Sequence, residues 1–181
     1  MNYLHARLAI GHIVLLSITI AAVVQTQYGQ STTGWQKFVA ADGSFSVFFP
    51  TTPTVGTATE KSSKGKSVFY TATCANGAFE FQVQETNSDY DMDSEKKLDA
   101  LTNNLLFKLH VRKVSQADIE LSNYKGIELV GINTYRSIKA RIFVSDRRSY
   151  IVIVGAPYTV QGDEEQIDKF FKSFEIIKDA K

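Results

Sequence analysis

The chain has 181 residues, 44% of them hydrophobic and 22% charged, with 20 basic and 19 acidic side chains. That is ordinary globular composition, and the length suits one domain with a short extra segment. The near-neutral charge argues against nonspecific nucleic-acid binding and against a strongly charged membrane-surface patch, both of which need net or clustered positive charge. A single cysteine, Cys74, rules out an intramolecular disulfide.

The first 29 residues differ from the rest. They contain no acidic residue, and Arg7 precedes an apolar run from Leu8 to Val24 that gives way to the polar stretch QTQYGQSTTG. A charged start, an apolar middle and a polar exit form the layout of a secretory signal peptide, with Ala22 or Thr26 before the cut. The rival reading is an uncleaved anchor over residues 8–24, although the run is short for a span and His12 interrupts it. No cysteine lies nearby to carry a lipid. Removing residues 1–29 takes away one basic residue, Arg7, and leaves 19 of each sign. The expected product is exported, periplasmic or extracellular, or held at the membrane by that segment alone. Residues 30–180 then read as a single domain.

Phe45, Val47 and Phe49 alternate with Ser44, Ser46 and Phe48, bounded by the Asp42-Gly43 turn and by Pro50 and Pro53. Period two with aromatics predicts a strand. The serines are its more polar side, and no Gly-x-Ser-x-Gly elbow surrounds them. Asn76-Gly77 between alternating runs predicts a two-residue hairpin. That turn sets Cys74 opposite Phe79, Ala72 opposite Phe81 and Tyr70 opposite Val83, with Thr73–Glu80 and Thr71–Gln82 on the polar side. Cys74 then reads as a small buried hydrophobe rather than a reactive thiol.

Leu98, Leu101, Leu105 and Leu109 form a helical stripe, with Ser94 as N-cap and Asp91, Asp93 and Glu95 near the positive end of the dipole. A further hairpin follows with Tyr124-Lys125-Gly126 as its loop, which would set Leu121 opposite Leu129, Ile119 opposite Gly131, and Gly126 in the left-handed position of a bulged turn. Two more strands flank a turn at residues 146–149. The second, IVIVGA, is apolar on both faces and should be central. Ile167, Phe170, Phe171 and Phe174 mark a last helix, which Asp163 and Gln166 open in the manner of a capping box. Two amphipathic helices and one doubly buried strand predict an α+β fold: an antiparallel β-sheet flanked by helices on both faces, an α/β/α sandwich.

The chemistry-bearing residues are few. His5 and His12 belong to the leading segment, which leaves His110 alone at a helix end; one histidine supports no multi-histidine zinc site. Asp89, Asp91 and Asp93 have the spacing that opens a calcium loop, but the sixth position is Ser94 and the twelfth Ala100, where glycine and glutamate belong. They read as an acidic helix start with weak calcium affinity at most. Lys139, Arg141, Arg147 and Arg148 form a basic cluster, the first two on one strand face beside Tyr135 and Phe143, where an anionic partner could dock. No phosphate loop, Cys-x-x-Cys or dinucleotide fingerprint occurs, so no cofactor, resident metal or catalytic residue is assigned.

Trp35-x-x-Phe38, DGSFSVFFPTTP, ARIFVSDRRSYIVIVGAP with its Arg148-Ser149-Tyr150, and FFKSFEII together resemble small exported bacterial proteins of the PsbP-like fold, over Trp35 to about Lys178. The resemblance implies an antiparallel sheet between helices and a noncatalytic assembly or accessory role. The functional expectation is an exported binding module of the bacterial envelope with a protein partner. A carrier of a small ligand or ion, or a carboxylate-based extracellular enzyme, are the alternatives.

Overall fold

The computed structural model describes residues 34–145, 147–158 and 163–177. The leading segment and Asp146 of the expected turn lie outside these. Among the described residues no helix is long and apolar enough to cross a membrane.

The described residues form ten strands and two helices in chain order: β1 (Gln36–Val39), β2 (Phe45–Phe49), β3 (Thr54–Ser62), β4 (Gly65–Asn76), β5 (Phe79–Ser88), α1 (Ser94–Lys108), β6 (Arg112–Leu121), β7 (Tyr124–Ile132), β8 (Arg136–Val144), β9 (Arg148–Pro157), α2 (Glu164–Ser173) and β10 (Glu175–Ile176). Seven strands form one antiparallel sheet in the order β3-β4-β5-β9-β8-β7-β6, and three form a second in the order β1-β2-β10. Strands hold 58% of the described residues and the two helices 18%. The helix-flanked α/β/α sandwich expected from the sequence is therefore not what forms. The fold is mostly β, with two antiparallel sheets.

The cause of that correction lies in β2. Its alternation makes a strand, but the strand does not join the main sheet. Phe45, Val47 and Phe49 are fully buried and pack face to face on the large sheet, together with Ala72, Phe81 and Val83 from β4 and β5. A short β1-β2 hairpin with β10 on its other side covers a sheet face that a second layer of helices would otherwise take. The α2 helix lies beside β2 in this layer; the Phe170 ring packs at a steep angle 5.4 Å from that of Phe49 and edge-on 5.2 Å from that of Phe81. On the opposite face α1 lays Leu101 and Leu105 over Ile127, Leu129 and Ile142.

Strand β9 is central, between β5 and β8, and nine of its ten residues are buried. Its even residues Tyr150, Val152 and Val154 enter one core and its odd residues Ile151 and Ile153 the other. Burying both faces is what a continuous apolar strand requires.

Two hairpin registers differ from expectation. Asn76 pairs with Phe79 and Cys74 with Phe81, so the loop is Gly77-Ala78 and the register is displaced by two residues. Gly77 takes φ +60° at the first loop position, the glycine site of a type II′ turn. A two-residue displacement preserves the faces, and Cys74 stays buried. In the second hairpin Leu121 pairs with Tyr124 around Ser122-Asn123, with Ser122 at φ +56°. Gly126 lies within β7 instead. A Cβ there would stand 2.5 Å from the Ile142 carbonyl oxygen and 2.7 Å from the Phe143 ring, so glycine serves close packing rather than a turn.

Candidate functional site

The acidic trio Asp89, Asp91 and Asp93 is divided among three local tasks. Asp89 Oδ1 accepts from the Lys66 backbone N–H at 2.8 Å, and Asp91 Oδ1 accepts from Arg147 Nε at 2.7 Å. Asp93 caps α1 by accepting from Lys96 N–H at 3.0 Å, the task expected of Ser94. The Arg147 guanidinium holds the Asp91 carboxyl below its ordinary range. No group of three or more metal-ligating side chains converges among the described residues.

The basic cluster is divided as well. Glu128 takes both Arg141 Nε at 2.8 Å and Lys139 Nζ at 3.7 Å, and both cations lie over the Phe171 ring. Arg147 faces Asp91, while Arg148 is buried against Glu85. With Asp42 also 4.0 Å from Arg148, the four cations meet four different carboxylates. His110 sits just beyond α1 with φ +51°, its ring 6.3 Å from that of the exposed Phe107.

Two features were missed by sequence reasoning. The first is a buried polar cluster at the end of β5 and β9, beneath the β1-β2 turn. Arg148 Nη1 donates to Glu85 Oε1 at 3.0 Å, and Ser44 Oγ donates to Glu85 Oε2 at 2.7 Å. Asp42 stands 4.0 Å from the same guanidinium. Burial pushes the Glu85 carboxyl up; the Ser44 hydrogen bond opposes this, Asp42 adds to it, and Arg148 opposes it in turn, for a net rise. Burial works against the Arg148 charge, yet Tyr150, Glu85 and Asp42 outweigh it and its pKa is raised. Burial also raises the Tyr70 and Tyr150 hydroxyls. Tyr150 Oη feels Arg148 and Tyr124, but makes no hydrogen bond of sound geometry to either. The sequence signal was available: Glu85 continues the inward alternation Phe79, Phe81, Val83.

The second feature is a cleft of about 90 Å³ between the C-terminal half of α1 and strands β5 and β9. Leu105 and Leu109 form one wall, Ile151 and Ile153 the floor. Glu80, Gln82 and Gln84 run along the other side, at alternate positions of β5. At the mouth Arg136 Nη2 donates to Glu80 Oε2 at 3.1 Å. This guanidinium lies over Gly155, where a Cβ would approach Nη2 to 2.7 Å. Gln84, 7% exposed, and Lys108 complete the lining.

No protein-family profile matches the chain, and no curated protein does. One solved structure that it matches is a crystal structure of a protein from Bacteroides thetaiotaomicron VPI-5482, at 14% identity and a TM-score of 0.46, covering 83% of this chain and 51% of that one. The chain spans about half the length of the solved structure it matches.

Proposed function

We propose that the chain is an exported, noncatalytic accessory domain that binds a component of the cell envelope. The observation that carries this reading is the engagement of its charged side chains: Glu85 with Arg148, Asp91 with Arg147, and Glu128 with Lys139 and Arg141. Charges held by opposite partners act as struts rather than as poised acids, bases or nucleophiles. The export layout of residues 1–29 supports placement outside the cytoplasm, and the residues shared with PsbP-like proteins agree with an accessory role.

The test is in-cell crosslinking of the tagged full-length protein, followed by fractionation and mass spectrometry. A reproducible envelope partner, with the tagged chain found outside the cytoplasm, is the expected result. Turnover by the purified domain, or retention in the cytoplasm, overturns the reading.

A further inference from the structure

We infer that the outer edge of β3 is a self-association surface. It pairs antiparallel with β3 of a second copy of this chain, about a two-fold axis through Ala58, so that the large sheet runs on from one molecule into the other. This inference does not rest on the accessory reading.

Which edge is open decides the place. Among the described residues the large sheet ends in β3 on one side and β6 on the other. Strand β6 is guarded. Its register shifts between Lys113 and Ser115, and Arg112, Lys113, Asp118 and Glu120 are all exposed along it. A bulge and charged side chains are devices that keep sheet edges from pairing. Strand β3 pairs with β4 through nine consecutive residues without a shift, and residues 54–59 carry no charge. Val55, Thr57, Thr59 and Lys61 share one face and are exposed, so the smaller sheet does not overhang this edge.

The backbone shows which groups face outward. Lys66 lies opposite Lys61, yet its N–H donates to Asp89 Oδ1 at 2.8 Å and its carbonyl accepts from the Asp89 N–H at 3.0 Å. Lys66 is thus turned away from β3, and Lys61 is a non-hydrogen-bonded position of the β3-β4 ladder. Alternation then aims one N–H and one C=O from each of Val55, Thr57, Thr59 and Lys61 at the free edge. The Gly56 carbonyl agrees with this phase, since it points inward and accepts from Thr71 Oγ1 at 3.4 Å. An incoming antiparallel strand sets its own outward residues against these four. For a second β3, only registers in which odd-numbered residues face odd-numbered residues qualify.

The side chains select one such register, and with it the occupant. With Ala58 on the axis all nine residues pair: Thr54 with Ser62 of the second copy, Val55 with its Lys61, Gly56 with its Glu60 and Thr57 with its Thr59, each twice. Every charge then faces an uncharged residue. Ala58 meets its counterpart at a non-hydrogen-bonded pair, where Cα atoms approach to about 4.5 Å and a small side chain fits. On the other face stand two Thr–Thr pairs, a favourable combination across strands. Axes at Thr57 or Thr59 pair fewer residues, and axes at Glu60 or Lys61 set like charges opposite each other. The strand complements itself, and that is why a second copy is the partner it fits.

The test uses the purified full chain. Sedimentation velocity from about 1 µM to about 1 mM should show a monomer–dimer equilibrium with a dissociation constant on the order of 10–100 µM, the weak range of a contact smaller than a standard interface. Thr57→Pro removes an outward N–H that the β3-β4 ladder does not use, so the melting temperature should hold while dimerisation weakens at least about tenfold. Thr57→Lys with Thr59→Lys sets like charges opposite twice and should weaken the dimer about tenfold at low salt. Thr57→Glu with Thr59→Lys sets opposite charges against each other twice and should tighten it severalfold. These two variants change only exposed side chains, so they decide the matter even where the proline strains the strand.

Crosslinking fixes the register. Ala58→Cys places two thiols at the axis within disulfide reach, and mild oxidation should give a covalent dimer. Glu60→Cys lies on the same face but about 13 Å from its counterpart, and should give none. A monomer throughout the concentration range overturns the inference. So does a dimer indifferent to Thr57→Pro and to both charge variants, or equal crosslinking by the two cysteine variants. Oxidation in cells that joins Ala58→Cys to another protein in place of a second copy overturns it as well.

Discussion

Arg148 and Glu85 meet at 3.0 Å inside the larger core, with side chains only 8% and 5% exposed. The pair closes the end of the interface between the two sheets, since Ser44 from the β1-β2 turn donates to the second Glu85 oxygen. Breaking a buried pair leaves one uncompensated charge. Arg148→Met should therefore cost about 3–5 kcal/mol of stability, and the Glu85→Leu, Arg148→Met double variant should recover most of the loss. Urea unfolding of the two variants checks this; equal losses in both would show that the pair is not what matters.

The same carboxyl gives a pH dependence of defined sign. Glu85 titrates above its ordinary value of 4.5 because burial disfavours its charge. A raised value means that the folded state binds the proton more tightly than the unfolded chain does. The resulting stability is fully present below about pH 4.5 and is lost as the pH rises through the raised folded value. Ser44, Asp42, Arg148, Tyr70 and Tyr150 surround the group, and among them Arg148 and Ser44 limit the rise. Comparing wild type with Glu85→Gln between pH 4 and pH 8 isolates the effect. The wild type should lose stability relative to the variant as the pH increases, and the opposite slope would refute the assignment.

Gly126 should tolerate no side chain. The alanine methyl group would press on the Ile142 carbonyl, a backbone atom fixed by the β7-β8 ladder. Gly126→Ala should lower stability by about 1–3 kcal/mol, as overpacking does. Thermal unfolding measures it, with Gly155→Ala as the control in which a mobile side chain yields instead.

Cys74 should be silent toward thiol reagents in the native protein. It is 7% exposed, and burial raises its pKa, with Thr51 opposing the rise. Reactivity needs an accessible thiolate. Labelling by a disulfide reagent should follow global unfolding, accelerating with urea in step with the loss of structure; rapid labelling in buffer would contradict the burial.

Much of the local structure was legible in the sequence, because periodicity reports which faces are apolar. The strand at Phe45–Phe49, the doubly buried β9 and the two helical stripes all follow from it. What periodicity does not report is which apolar face meets which. Phe45, Val47 and Phe49 look the same whether they extend the main sheet or stack upon it, and here they stack. The hairpin registers were missed for a related reason. Asn76-Gly77 and Gly77-Ala78 both satisfy the alternation and both suit a glycine at 77; what distinguishes them is that Asn76 pairs with Phe79 and keeps a negative φ. In the second hairpin the sequence drew attention to Gly126, whereas Ser122 takes the left-handed position. The cleft was hidden by the same alternation. Glu80, Gln82 and Gln84 read as a solvent face, and they line a cleft because α1 crosses part of that face from a distant place in the chain.

The central position of β9 has a consequence for how the molecule is made. Hairpins β3-β4-β5 and β6-β7-β8 consist of neighbours in the chain, so each half of the sheet can assemble locally. The seam between them is β9 alone, and its partners on β5 lie on the order of 60 to 75 residues earlier, a separation that slows closure. Until residues 148–157 arrive, the chain carries two half-sheets with bare inner edges, β5 and β8. Such edges invite pairing with other chains. A domain built this way gains from staying extended, or escorted, until β9 is synthesised.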